Sequence, residues 1–184
     1  VKFQASHPNY TTVTGEATVT INPRAIEITA GSSTDNVYDG KEKKVETSSI
    51  TSDLKLVGNA TYKVTFENNA RTDAGTQAVT VKDAVVSGDL QDNYSFTYKP
   101  GTLTISQAEG MTVTAENVIK TYDGNSYGVE AKANKAGATI KYWNEETKAY
   151  DLDESPKIKD VKDSVLKVKF QASHPNYTTV TGEA

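Results

Sequence analysis

Two Tyr-Asp-Gly triplets, Tyr38-Asp39-Gly40 and Tyr122-Asp123-Gly124, are the residues of this chain best suited by type and spacing to do chemistry. A carboxylate next to a glycine can ligate calcium, or it can fold a turn. Calcium takes roughly six to eight oxygens, and one carboxylate per triplet falls far short. The turn is the stronger reading. Aspartate then folds an Asx-type turn, glycine takes positive φ, and the tyrosine ring covers the end of a core.

Trp143, the only tryptophan, lies in Ile140-Lys141-Tyr142-Trp143-Asn144-Glu145-Glu146-Thr147. If Ile140 and Tyr142 face inward, Trp143 faces outward beside a polar hairpin tip. With Tyr150 it forms the candidate ligand-binding pair, an indole able to stack on a sugar ring or a protein partner. Packing against a neighbouring module or loop is the plainer use of the same ring. His7 and His174 each precede a proline and have no Asp or Ser set around them, which reads as a loop residue rather than a metal ligand or general base. A Lys–Asn isopeptide crosslink through Asn93 or Asn176 is chemically conceivable, but no spacing singles it out. There is no Gly-rich phosphate loop, paired-carboxylate constellation or nucleophile elbow. The expectation is a protein that is not an enzyme, with no catalytic residue, cofactor or metal site.

The elements that hold these residues are organised by repetition. Residues 1–17 (VKFQASHPNYTTVTGEA) recur letter for letter as residues 168–184, so the period is 168 − 1 = 167 residues. Fixed-period identity marks tandem arrays. An older repeat lies inside the period. Tyr38 and Tyr122 are 122 − 38 = 84 apart, Asn9-Tyr10 is echoed by Asn93-Tyr94 and Asn176-Tyr177, and Val19 and Ile21 fall on Leu103 and Ile105. The expected organisation is residues 1–23 as the closing strands of a preceding repeat, 24–107 as a first module and 108–184 as a second. The chain is then a piece of a longer array, and the second module lacks its last strand.

Apolar residues alternate with polar ones almost everywhere: Leu166, Val168, Phe170 and Ala172 against Lys167, Lys169 and Gln171; Tyr62, Val64 and Phe66 against Lys63 and Thr65; Tyr94, Phe96 and Tyr98 against Ser95 and Thr97. Each run reads as a strand with one buried and one wet face. Asn68-Asn69, Asp73-Ala74-Gly75, Ser87-Gly88-Asp89 and Asp123-Gly124-Asn125 supply turns between short antiparallel strands. The expected fold is all-β: two small antiparallel β-sandwich modules with Ig-like packing, in series, with β-grasp-like modules as the alternative.

Composition narrows the function classes. Hydrophobic residues make up 36% of the 184, enough for small cores. Net charge is −4 without Lys/Arg runs, which offers no basic patch for nucleic acid or anionic lipid. The lack of cysteine removes disulfides and thiolate chemistry. No apolar run is long enough for a membrane span, so no membrane insertion of this fragment is expected.

The start Ile26-Glu27-Ile28-Thr29-Ala30, the Tyr-Asp-Gly that follows, a late Asn-Tyr and the close from Gly101 to Ile105 resemble the YDG/MBG-type modules of large bacterial surface proteins. Thr121-Tyr122-Asp123-Gly124 leading into Tyr127-Gly128-Val129, with His174-Pro175-Asn176-Tyr177 later, resembles a second variant. The resemblance spans the chain through short structural motifs. It implies an adhesin-like protein at the bacterial cell surface or cell wall, whose repeats form a stalk or spacer, and it implies no activity. The alternative is an adhesin module that binds a host glycan or extracellular protein through multivalency. In either case the nearest partners are adjacent repeats of the same protein, head to tail. Burying Val19 and Ile21 is worth about 3–6 kcal/mol, so the N-terminal segment of one molecule is expected to complete the second module of the next.

Overall fold

The computed structural model describes residues 1–88 and 90–184 and is all-β, its only helical elements among them being single 3-10 turns at Gln91–Asn93 and Val161–Asp163. The turn assigned to Ser87-Gly88-Asp89 falls in part on Asp89, which lies outside the described residues. Strands β1 (Lys2–His7) and β2 (Tyr10–Glu16) pair only with each other, as a hairpin.

One core gathers buried residues from Ile26 to Leu103. Strands β3 (Arg24–Ala30), β6 (Ser48–Ile50) and β10 (Tyr94–Lys99) make one sheet in the order β10-β3-β6. Strands β4 (Ser33–Val37), β7 (Tyr62–Glu67), β9 (Gly75–Val86) and β11 (Gly101–Ser106) make a second in the order β4-β11-β9-β7. The two-residue strands β5 (Lys43–Lys44) and β8 (Ala70–Arg71) clip the rim. Ile26, Ile28, Val79, Val81 and Leu103 meet in the core between the sheets, the inward halves of alternating runs. Gly101 lets β11 cross close to the turn after β3, where a Cβ would collide with the carbonyl oxygens of Ala30 and Gly31. Tyr98 departs from its inward row and is exposed at the strand end.

The second core gathers Met111, Val113, Ala131, Tyr142, Val168, Phe170 and Ala172. Strands β12 (Val113–Ala115) and β13 (Ala131–Ala133) pair on one side of it. Strands β14 (Thr139–Asn144), β15 (Ala149–Leu152), β16 (Lys169–His174) and β17 (Tyr177–Glu183) form a sheet in the order β15-β14-β16-β17.

Not every pairing is antiparallel, as the short turns had suggested. Strand β10 runs parallel to β3, and β4 parallel to β11. Parallel neighbours need a long crossover, and here the intervening strands of the module provide it. An isolated parallel bridge between Ala108 and Tyr177 reproduces the Arg24–Tyr94 pairing one repeat later.

Candidate functional site

The two Tyr-Asp-Gly motifs fold the same turn with different supports. Asp39 Oδ1 accepts from the Lys41 N–H at 2.9 Å, and Asp123 Oδ1 from the Asn125 N–H at 2.9 Å. Gly40 and Gly124 take φ of 77° and 82°, the left-handed region that glycine enters freely. The remaining oxygen of Asp39 pairs with Lys43 Nζ at 2.7 Å, which with the Lys41 N–H holds its carboxyl below the usual aspartate range. That of Asp123 accepts from the Tyr127 hydroxyl at 2.5 Å, which lowers the Asp123 pKa and raises that of the phenol. Each oxygen of the two carboxylates thus has a partner within the turn or the four residues after the aspartate. Among the described residues no cluster of three or more His, Asp or Glu side chains is placed to hold a metal ion.

The tyrosines of the two motifs part ways. Tyr38 is half-buried and meets the ring of Tyr177 edge-on at 5.5 Å. Tyr122 covers no core end; it is exposed beside a groove in the second module. That corrects the expectation of equivalent roles. The strands that flank Tyr38 are present as β4 and β11, whereas no strand flanks Tyr122.

Trp143 and Tyr150 are brought together, directly opposite across β14 and β15, with ring centroids 5.1 Å apart and planes at 70°. Tyr142 is buried, and Trp143, expected to face outward, is half-buried. The indole N–H donates to Glu145 Oε1 at 3.0 Å, and Lys169 Nζ sits 5.9 Å from the ring centroid. Glu145 titrates below its ordinary value, chiefly because Lys148 bonds its other oxygen at 2.7 Å. The edge-to-face pair, the ion pair and the N–H bond tie the hairpin together, so the indole is engaged within its own module.

A buried polar cluster forms around Asn176, considered from the sequence only for a crosslink. Asn176 is 7% exposed, the one buried polar side chain among the described residues. Its Oδ1 accepts from the Ala74 N–H at 2.7 Å and its Nδ2 donates to Asp73 Oδ1 at 2.8 Å, both across the junction in the first module. Its backbone carbonyl accepts from the Ala108 N–H at 2.9 Å, and Thr178 N–H returns a bond to the Ala108 carbonyl at 2.9 Å. Gln107 Nε2 donates to the carbonyls of His174 and Pro175. His174 Nδ1 accepts from the Asn176 N–H at 3.0 Å and fixes the hairpin tip. Every polar atom of the Asn176 side chain has a partner on the neighbouring module, which is what makes its burial tolerable. The recurrence of Asn-Tyr at residues 9–10, 93–94 and 176–177 was the available signal. Nothing in one sequence says that Asp73 lies opposite.

No known family model, curated protein or solved structure matches this chain. The function therefore has to be argued from its own geometry. No helix among the described residues is long and apolar enough to cross a membrane.

Proposed function

We propose that this chain is a spacer unit of a bacterial surface protein of the YDG/MBG type, built of Ig-like modules, that holds an adhesive or other head domain away from the cell. The observation that carries the reading is the junction at Asn176. A hairpin tip of the second module, the linker at Gln107 and Ala108, and the Asp73-Ala74 turn of the first module are hydrogen-bonded into one unit. The 17-residue identity at a spacing of 167 residues would repeat that junction along the array, each copy adding length. Adjacent copies of the repeat, head to tail, are the partners of this reading, and the bacterial cell surface or wall is its location.

Arrays of one, two and four periods, displayed on cells with a fluorophore at the far end, test it. The height of the fluorophore above the surface is expected to rise in proportion to the number of periods. A height that stays constant overturns the spacer role.

The multivalent adhesin is the second reading, favoured by the half-buried Trp143 next to Tyr150. Binding to mucin glycans by one period, lost in Trp143→Ala, would support it.

A further inference from the structure

The hairpin tip that meets the first module is closed by a bond whose acceptor can take up a proton. His174 Nδ1 accepts from the Asn176 N–H at 3.0 Å. Elsewhere in the chain oxygen closes the same kind of turn: Asp39, Asp123 and Asn144 each accept from the N–H two residues on, at 2.9 Å. An amide oxygen or an ionised carboxylate remains an acceptor throughout the neutral range. Imidazole does not, because histidine changes charge between about pH 5 and 8. A neutral ring that accepts at Nδ1 carries its proton on Nε2, so a second proton must land on Nδ1 itself. A donor then faces the Asn176 donor, and the bond is lost.

The loss reaches beyond the tip because of what Asn176 holds. Its side chain is bonded to the Ala74 N–H and to Asp73 of the first module, and the ring of its neighbour Tyr177 meets Tyr38. The imidazole has little room to re-aim. It packs against the Tyr177 ring at 5.1 Å, and its Nε2 faces Gly137, where an added Cβ would stand 3.7 Å away.

The charged groups around it pull both ways. Lys135 Nζ lies 4.7 Å from the centroid of the same Tyr177 ring and opposes a second positive charge. The Asp73 carboxylate, held at Asn176 Nδ2, favours one. Arg71 is bonded to the carbonyls of Asp73 and Ala74 and fixes their turn. Gln107, on the carbonyls of His174 and Pro175, carries no charge.

We infer that His174 makes the junction responsive to pH. With the imidazole neutral, the tip is shut and Asn176 stays bonded to Asp73 and Ala74. With it protonated, the tip opens and those two bonds between the modules are released. The shut form holds one proton fewer than the open form, so the lock weakens as pH falls. This goes beyond the spacer reading and does not need it, since it concerns the junction within one chain.

The chain has no cysteine, so Lys63→Cys and Glu146→Cys, both at exposed positions, put one dye on each module for single-molecule energy transfer. One narrow distribution is expected at about pH 7.5, and a broad one at about pH 5.5, still above the ordinary aspartate range. His174→Asn keeps an oxygen acceptor at the tip, as Asn144 does, and is expected to stay narrow at both. His7→Asn, the same change in the β1–β2 hairpin, is expected to leave the response intact. NMR gives a second readout. The Ala74 amide, whose partner is Asn176 Oδ1, is expected to shift with the same midpoint as the His174 ring. It should also lose protection about tenfold or more, while Val81 in the first core keeps its own. If His174→Asn is broad at both pH values, the coincidence of the two midpoints decides. A parent distribution that stays narrow at the lower pH, a response that persists in His174→Asn, or an Ala74 midpoint apart from that of His174 overturns the inference.

Discussion

Asn9 and Asn176 are the same residue in the same seventeen-residue string, and their surroundings differ completely. Both hairpin tips are folded alike: His7 Nδ1 accepts from the Asn9 N–H at 3.1 Å, as His174 does from Asn176. Only Asn176 reaches Asp73 and Ala74. Removing one partner of a buried polar set strands the others, at about 1–3 kcal/mol. Asn176→Ala is therefore expected to lower stability by that amount in urea denaturation, whereas Asn9→Ala should stay within about 0.5 kcal/mol of the parent. Equal effects would remove the junction from the account. At the same scale, the Tyr127 hydroxyl depresses the Asp123 pKa in the folded state. A depressed folded pKa contributes stability above the ordinary aspartate range, lost as pH falls through the folded value. Carboxyl-carbon NMR should show Asp123 titrating below an ordinary aspartate, and moving up in Tyr127→Phe. An unmoved midpoint in that variant contradicts the assignment.

The hairpins offer the same contrast at the scale of elements. Strands β1–β2 and β16–β17 share sequence, register and the bulge before the histidine. Phe170 is 1% exposed against the second core, while Phe3 is 58% exposed with no core to join. Truncation of a buried phenylalanine costs about 3–5 kcal/mol, so Phe170→Ala should severely destabilise the second module. Phe3→Ala should be nearly silent, and amide exchange should find β16–β17 protected and β1–β2 open. Protection of both hairpins would mean that the first one has found a partner. These strands were legible because period-two alternation reports local geometry: the Leu166 to Ala172 run and the Ile26 to Ala30 run face inward as their spacing dictates. The parallel pairing of β10 with β3 was not legible, because partner choice depends on residues seventy positions apart. The Asp39 and Asp123 turns could be read from their triplets, since an Asx turn closes within three residues. The different fates of Tyr38 and Tyr122 could not, being set by strands elsewhere in the fold.

For the whole molecule, the repeat couples these features into one design. A hairpin tip is hydrogen-bonded at Asn176 to the Asp73-Ala74 turn. In the proposed array, stiff coupling between modules would replace a loose tether. The spacer reading rests on that coupling being stiff. Small-angle X-ray scattering of chains of one, two and three periods in dilute solution tests it most directly. The account predicts a rod whose maximum dimension grows by the same increment with each added period and whose cross-section stays constant. A maximum dimension that grows much more slowly than the number of periods, with a compact-globule profile, would contradict it.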